Sequence, residues 1–319
     1  MASTAAELTA LAAQHRRRIL ALSTATALAA IRRWKRLTPA QLVASWDGGG
    51  GRDIANLLTA GQLAAAQGAS PYVAALMAAQ DLDGDDDGGE LNPEALAGIA
   101  SDGRSLSTLL FQTVADAERR YRGGATRSQA MAGGQAMLER IARTQVTDAG
   151  RVAAGTAVAA RAKLGYYVRT LTPPSCARCA ILGGKVYRSE IPFARHPHCD
   201  CQHLGVGDPR LGDEALTSPE AYFESLSTAG QDMIFGKAAS VAIREGADPA
   251  QVVNARRGME PASVYGRQLL ATTEGTTRRG FARSRLPSGT PRLMPEAIME
   301  VAADRAEMLR LLRRHGYLT

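Results

Sequence analysis

The sequence predicts a mainly α fold: a helical N-terminal region, one small β element of hairpin or knuckle form, and a helical C-terminal region. Three observations carry that expectation. Hydrophobic residues make up 45% of the 319, enough for a substantial core, yet aromatics reach only 5%. With alanine abundant, that balance favours helices packed on small side chains over a β-sandwich. Apolar residues recur at three- and four-residue steps along most of the chain, the period of an amphipathic helix. The pattern changes at Tyr166-Tyr167-Val168-Arg169-Thr170-Leu171, a β-branched and aromatic run that reads as a strand.

The elements follow in order. Residues 4–34 read as one long helix on the stripe Leu8, Leu11, His15, Ile19, Leu22, Ala25 and Ala29, with Arg16, Arg17 and Arg18 lying between. Thr38-Pro39, an N-cap and a first-turn proline, opens a short helix to Trp46. Gly48 to Gly51 reads as a hinge. A helical region covers about 52–80, split at Ser70-Pro71, and an acidic loop fills 81–94. Asn92-Pro93-Glu94 caps another helix, and Ser105 to Tyr121 forms the next. A long helix runs from about 126 to 163, kinked at Gly133-Gly134. After the strand, Lys185 to Arg188 reads as a second one. Helices return at 219–226 and 232–245, the latter stopped by Gly246. Residues 260–292, rich in Thr, Gly, Arg and Ser, read as low-order, most clearly Thr276 to Gly280. A closing helix, Pro295 to Arg314, ends in Arg310, Arg313 and Arg314, cations suited to a helix C-terminus. Three regions result: 1–125, helical; 126–206, holding the long helix and the β element; and 207–319, helical and Arg-rich.

Composition limits the function classes. No run of about 20 apolar residues offers a membrane span. The N-terminus, Met1-Ala-Ser-Thr-Ala-Ala-Glu, lacks the basic-then-apolar layout of a signal peptide, so a cytoplasmic protein is expected. The net charge of +7, from 38 Lys plus Arg against 31 Asp plus Glu, is compatible with a nucleic-acid or acidic-protein partner and proves neither.

All four cysteines lie in one window: Cys176-Ala-Arg-Cys179, nineteen residues, then Cys199-Asp-Cys201 within His196-Pro-His198-Cys199-Asp-Cys201-Gln-His203. Two chelating pairs separated by a loop are what a tetrahedral zinc ion needs. Clustered cysteines in a cytoplasmic protein are more often metal ligands than disulfides, with reduced core thiols or later disulfides as the competing reading. Strand, Cys-x-x-Cys, Leu182-Gly183-Gly184 and strand is the layout of a zinc knuckle. Five residues are candidate ligands, Cys176, Cys179, Cys199, Cys201 and His196, with His198 and His203 behind them. Zinc accepts four, so the all-cysteine set is expected first, with His196 replacing Cys199 or Cys201 as the alternative. With every position filled by protein, the zinc would be structural and the β element zinc-stapled.

The run Leu171-Thr-Pro-Pro-Ser-Cys176-Ala-Arg-Cys179-Ala-Ile-Leu-Gly-Gly184, with Tyr187-Arg188 and Arg195-His-Pro-His-Cys199-Asp-Cys201, resembles the phage Mu F-like minor head proteins. That family carries Cys-x-x-Cys, Leu-x-Gly and a terminal His-Pro-x-Cys-x-Cys. The likeness is strongest to versions encoded beside the portal gene in phages of actinobacteria. A looser likeness extends through the N-terminal helices, to Gly246-Ala-Asp248 and to Val252-Val-Asn-Ala-Arg-Arg-Gly-Met259. The resemblance implies a minor capsid protein acting with the portal and capsid proteins in head assembly, in the host cytoplasm and then in the virion head. It also implies contact with double-stranded DNA during packaging or ejection. Cys176, Cys179, His196, Cys199 and Cys201 match the family's metal-type positions.

Other motifs are weaker. Asp83-x-Asp85-x-Asp87-Gly88, five residues, then Glu94 satisfies the bare EF-hand pattern, but Glu90 stands where an aliphatic belongs and Pro93 precedes the would-be bidentate Glu94. A solvated acidic insertion fits better. A capsid maturation protease is one competing function, yet the chain has no His-Glu-x-x-His and no Gly-x-Ser-x-Gly. Ser175 with His196 or His198 can be imagined as a nucleophile pair, but four thiolates adjoin it; a cysteine nucleophile with a histidine base is the sharper version, and zinc binding would exclude it. A zinc-stabilised DNA-binding module is the other competitor, with Arg178, Lys185, Arg188 and Arg195 near the cysteines and Arg278, Arg279, Arg283 and Arg285 beyond. His15, on the apolar stripe of the first helix, is expected to be a packed histidine.

Overall fold

A computed structural model describes residues 4–82, 89–171, 174–191, 201–264, 266–276, 281–287 and 290–318. Asp83, Asp85, Asp87, His196, His198 and Cys199 lie outside them. The described chain is mainly helical, as its composition predicts. It divides into two compact units, one of Met1–Thr170 with Val186–Leu216, the other of Leu171–Lys185 with Thr217–Thr319. No helix among the described residues is long and apolar enough to cross a membrane.

The first unit holds α1 (Thr4–Trp34), α2 (Leu42–Ser45), α3 (Gly51–Ala66), α4 (Ala69–Ala78), α5 (Leu106–Arg122), α6 (Arg127–Ala159), strands β1 (Tyr166–Thr170), β2 (Val186–Arg188) and β3 (Gln202–Val206), and α8 (Pro209–Ala215). α6 begins at a reciprocal capping box between Thr126 and Gln129 and packs against α1, α3, α4 and α5. The boundary expected at 125–126 therefore falls inside this unit. α1 buries Leu8, Ala12, His15, Ile19, Ser23, Thr26, Ala30 and Trp34. Those positions follow an eleven-residue repeat, whereas Ala25 of the expected stripe is exposed. Such a repeat stays close to the α-helical period, so one stripe remains against the neighbour along the helix and position 25 falls off it.

The glycines serve close approach. α6 runs unbroken through Gly133-Gly134, where a kink was expected. A Cβ on Gly134 would lie 2.5 Å from Trp34 Cζ2 and 2.9 Å from the Thr113 carbonyl oxygen. The Trp34 indole donates from Nε1 to the Met131 carbonyl at 3.1 Å and meets Trp46 edge-on at 6.4 Å. The break expected at 48–51 is a kink at Gly49, whose φ of 127° only glycine adopts freely, between Trp46 and the start of α3. A Cβ on Gly51 would strike the Trp46 indole at 2.4 Å. α3 and α4 break at Gln67-Gly68, and Pro71 sits within the first turn of α4, where its missing N–H has no partner to lose.

β1 is the central strand of an antiparallel sheet ordered β2-β1-β3, with Tyr167 opposite Tyr187 and Gly205. β1 and β2 pair antiparallel, and the link between them carries a helix, α7 (Ala177–Gly183).

The second unit holds α7, α9 (Pro219–Glu224), α10 (Thr228–Phe235), α11 (Lys237–Arg244), α12 (Pro249–Ala255), strands β4 (Met259–Val264), β5 (Arg267–Thr272) and β6 (Arg292–Leu293), α13 (Pro295–Val301) and α14 (Arg305–Arg314). Phe223, Phe235, Ala242, Leu269, Ile298 and Leu312 form part of its core. The expected helix 232–245 is two helices, broken at Gly236, whose φ of 86° only glycine adopts freely. The closing helix is likewise two, restarted at Asp304, whose carboxylate caps Glu307 N–H at 2.8 Å. Residues 260–292 are not simply low-order: β4, β5 and β6 form an antiparallel sheet, though 277–280 lie outside the described residues. Arg292, fully buried, donates Nε to the His315 carbonyl at 2.8 Å and Nη2 to the Gly316 carbonyl at 3.2 Å, and its guanidinium lies over the Tyr317 ring. The chain end is thereby fastened to β6.

Two predictions follow from this packing. Gly133→Ala meets only the flexible Arg120 side chain and gains helix propensity, so it should stabilise by up to about 1 kcal/mol. Gly134→Ala meets indole and backbone and should destabilise by about 1–3 kcal/mol, both read by chemical denaturation. The second concerns pH. Burial, assisted by Arg18, pushes the His15 imidazole down from 6.5 to about 4; burial, with Arg314 and Arg292, does the same to His315. Between those values the unfolded chain binds more protons than the folded one. Stability is therefore fully present above about pH 6.5 and falls as pH drops towards 4, by about 3 kcal/mol per histidine. His15→Phe should flatten its share of that fall in melts recorded across the range.

Candidate functional site

The Cys-x-x-Cys pair opens α7 instead of turning between strands. Cys176 is the N-cap, its backbone extended, and its Sγ accepts the Cys179 N–H at 3.4 Å. The first turn of any helix leaves N–H groups without backbone acceptors, and here a sulfur takes one. Cys176 is half-buried and Cys179 is buried. The residue before them is held from both sides by one phenol: Ser175 N–H donates to Tyr222 Oη at 2.6 Å, and Tyr222 Oη donates to the Ser175 carbonyl at 2.7 Å. Tyr222 comes from α9, which packs on α7. Ser175 is itself only 1% exposed, which removes it as an accessible nucleophile.

Cys201 lies in the first unit, fully buried, one residue before β3. Its carbonyl accepts Arg151 Nε at 2.7 Å. Arg151, 1% exposed and on α6, donates Nη1 to Asp148 Oδ1 at 2.6 Å. Asp148 Oδ2 accepts the Ser101 hydroxyl at 2.7 Å, and Gln145 Oε1 accepts Ser101 N–H at 2.9 Å. A buried guanidinium is tolerable only with a counter-charge and aligned acceptors, and this network supplies both.

Aromatic rings anchor the other end of the same segment. Tyr167 Oη donates to the Ile191 carbonyl at 2.8 Å, and its ring stacks on Tyr187 at 5.2 Å. The Arg169 guanidinium lies 5.4 Å from the Tyr187 ring centroid. Burial pushes the Tyr187 phenol up, Arg169 pulls it down, and the Cys201 side chain adds to the rise. His203 packs at 4.7 Å from the Tyr167 ring, against α6 where a Cβ on Gly155 would touch it. Its carbonyl accepts Tyr72 Oη at 2.7 Å, and Tyr72 stacks flat on His15 at 4.1 Å. His15 is thus a packed histidine.

Ile191 and Cys201, which bracket residues 192–200, are therefore both pinned in the first unit. Of the five expected ligands, Cys176 and Cys179 stand on α7 and Cys201 precedes β3; Cys199 and His196 lie outside the described residues. Among the described residues, no three His, Cys, Asp or Glu side chains gather as a metal site. The EF-hand positions 83, 85 and 87 also lie outside, and Glu94 opens a short 3₁₀ turn capped by Asn92 at 3.1 Å. Several arginines expected to meet nucleic acid have internal partners. Arg188 pairs with Glu190 at 2.8 Å, and Arg285 donates to the carbonyls of Arg313 and Leu318.

Sequence reading missed Arg151, Asp148 and Tyr222. Arg151 carried a signal: it interrupts the apolar run Val146, Ala149, Val152 and Ala153 on α6. Tyr222 carried none, because its partner is a backbone unit 47 positions away. No protein-family model, curated protein or solved structure matches the chain.

Arg151→Met should cost about 3–5 kcal/mol, since it leaves Asp148 buried beside a lost counter-charge. Adding Asp148→Leu should recover part of that loss, because the stranded carboxylate is then gone. A double-mutant cycle by denaturation checks both.

Proposed function

We propose that this chain is a minor head protein of the phage Mu F-like type, acting with the portal and capsid proteins in head assembly. It works in the host cytoplasm and then in the virion head, with a structural zinc ion as its staple. The single observation that carries this reading is the order and confinement of the ligand-type residues. All four cysteines and three of the five histidines fall between 176 and 203, as Cys-x-x-Cys followed by His-Pro-x-Cys-x-Cys.

The donor chemistry fits zinc. Thiolates are its preferred structural ligands, and the backbone N–H directed at the Cys176 sulfur is a donor that favours the thiolate. Cys176, Cys179, Cys201 and either Cys199 or His196 would hold the ion. Bound there, zinc would contribute folding energy and have no vacant position for water. The protein's own part is positional: Tyr222 fixes the backbone before Cys176, Arg151 fixes Cys201, and Tyr167 fixes Ile191. Function would lie on the surfaces so arranged.

Reduced, purified protein should carry one equivalent of zinc, and its thiols should react with a thiol reagent only after chelation. Less than about half an equivalent, with all four thiols reactive, would end the zinc assignment. For the assembly role, the protein should co-purify with the product of a neighbouring portal gene when the two are co-expressed. Absence of such a gene and of such a complex contradicts the head-protein reading. Cleavage of capsid protein, lost on Ser175 or cysteine substitution, would favour the protease reading instead.

A further inference from the structure

A cleft of about 620 Å³ in the first unit opens where α1 ends against the α2–α3 turn. Arg33, Arg36, Ser45, Asp53 and Asn56 line it, with Leu37 and Leu57 as its apolar wall. Arg32, Lys35 and Arg52 stand exposed on the same two elements. Some other arginines of this unit pair with carboxylates: Arg104 with Asp102, Arg119 and Arg120 with Asp116, Arg127 with Glu118, Arg143 with Glu139. At this end of α1 none does. Among the described residues, no carboxylate lies within ion-pair distance (4.0 Å) of Arg32, Arg33, Lys35, Arg36 or Arg52, although Asp53 lines the same cleft.

Helix polarity accounts for part of this cluster. Arg32 and Arg33 occupy the last turn of α1, and Arg33 donates to the Ala29 carbonyl at 3.4 Å. It does not account for Lys35 and Arg36, which follow the helix end at Trp34, nor for Arg52 on α3. Unneutralised guanidinium groups facing a polar cleft suit an anion, and a planar fork suits phosphate. No aromatic ring lines the cleft, so it offers no platform for an unstacked base. What such a site reads is charge along a backbone.

We propose that this cleft binds the phosphodiester backbone of duplex DNA without sequence preference, Arg33 and Arg36 each meeting a phosphate. The cleft uses no residue of the cysteine window, so this proposal and the zinc and portal assignments stand or fall separately.

The test uses the full chain and a labelled mixed-sequence DNA duplex two helical turns long, followed by anisotropy across a salt series. R33Q/R36Q should weaken binding about tenfold or more at low salt and reduce the slope of log K against log salt by about 1.8. R210Q, which removes an exposed arginine paired with Asp208, should bind as the wild type does. R33K/R36K should keep most of the slope, because it keeps the charge. Unchanged melting of the glutamine variant separates lost contacts from lost fold; if it unfolds, R36Q alone, exposed beyond the helix end, should show half the slope change. The proposal is overturned if wild type does not bind the duplex, or if R33Q/R36Q binds with the same affinity and slope. It is equally overturned if polyglutamate binds as tightly as the duplex, or if millimolar inorganic phosphate displaces the duplex at constant ionic strength.

Discussion

The first unit depends on the buried Arg151. Arg151 projects from α6 into a largely apolar interior, and a guanidinium there must be neutralised and hydrogen-bonded. Asp148, one turn earlier on the same helix, supplies the charge, and the carbonyl of Cys201 supplies an acceptor 50 positions away. The ion pair is weak evidence for stability in itself, but it is a strict constraint on placement. It fixes where β3 starts, and β3 in turn pairs with β1 over its whole length. Tyr72 and Gln80 add bonds from α4 and the residues after it to the β3 carbonyls of His203 and Gly205.

Around that interaction the packing is a matter of small residues. Ala12, Ala27 and Ala30 on α1, Ala142, Ala153 and Ala154 on α6, and Gly61 on α3 let helix axes approach closely. Trp34, Trp46 and Phe111 meet edge-on as one aromatic cluster. A chain with so little aromatic area obtains its core from dense contact between many small side chains. That is why a methyl at Gly134 would collide with an indole and backbone, while one at Gly133 would meet only a side chain.

Much of the helical frame was legible in the sequence, because period, caps and first-turn prolines are local signals. α1, α5 and α6 fall within a few residues of expectation, with Ser105 and Thr126 as their caps where capped. The glycines misled, since a Gly-Gly pair looks alike whether it bends a helix or admits a neighbouring ring. The sheet β4-β5-β6 was hidden by composition: its strands are short, half-exposed and rich in residues that also suit loops. At the candidate site the identities of the cysteines were legible, but not their settings. A Cys-x-x-Cys can turn between strands or cap a helix, and only the acceptor needs of α7 and the clamp by Tyr222 decide it. Arg151 acts on a carbonyl far along the chain, which no local pattern encodes.

The proposed staple would draw on two settings described separately: in the second unit Cys176 caps a helix N-terminus, and in the first a buried arginine holds Cys201 while a tyrosine holds Ile191. Such a staple makes a definite demand on coordination. X-ray absorption at the zinc edge of the purified, reduced protein measures it directly. A structural site predicts four ligands, three or four of them sulfur at about 2.3 Å, with no bound water. A first shell dominated by oxygen or nitrogen, or one retaining an exchangeable water, would contradict it.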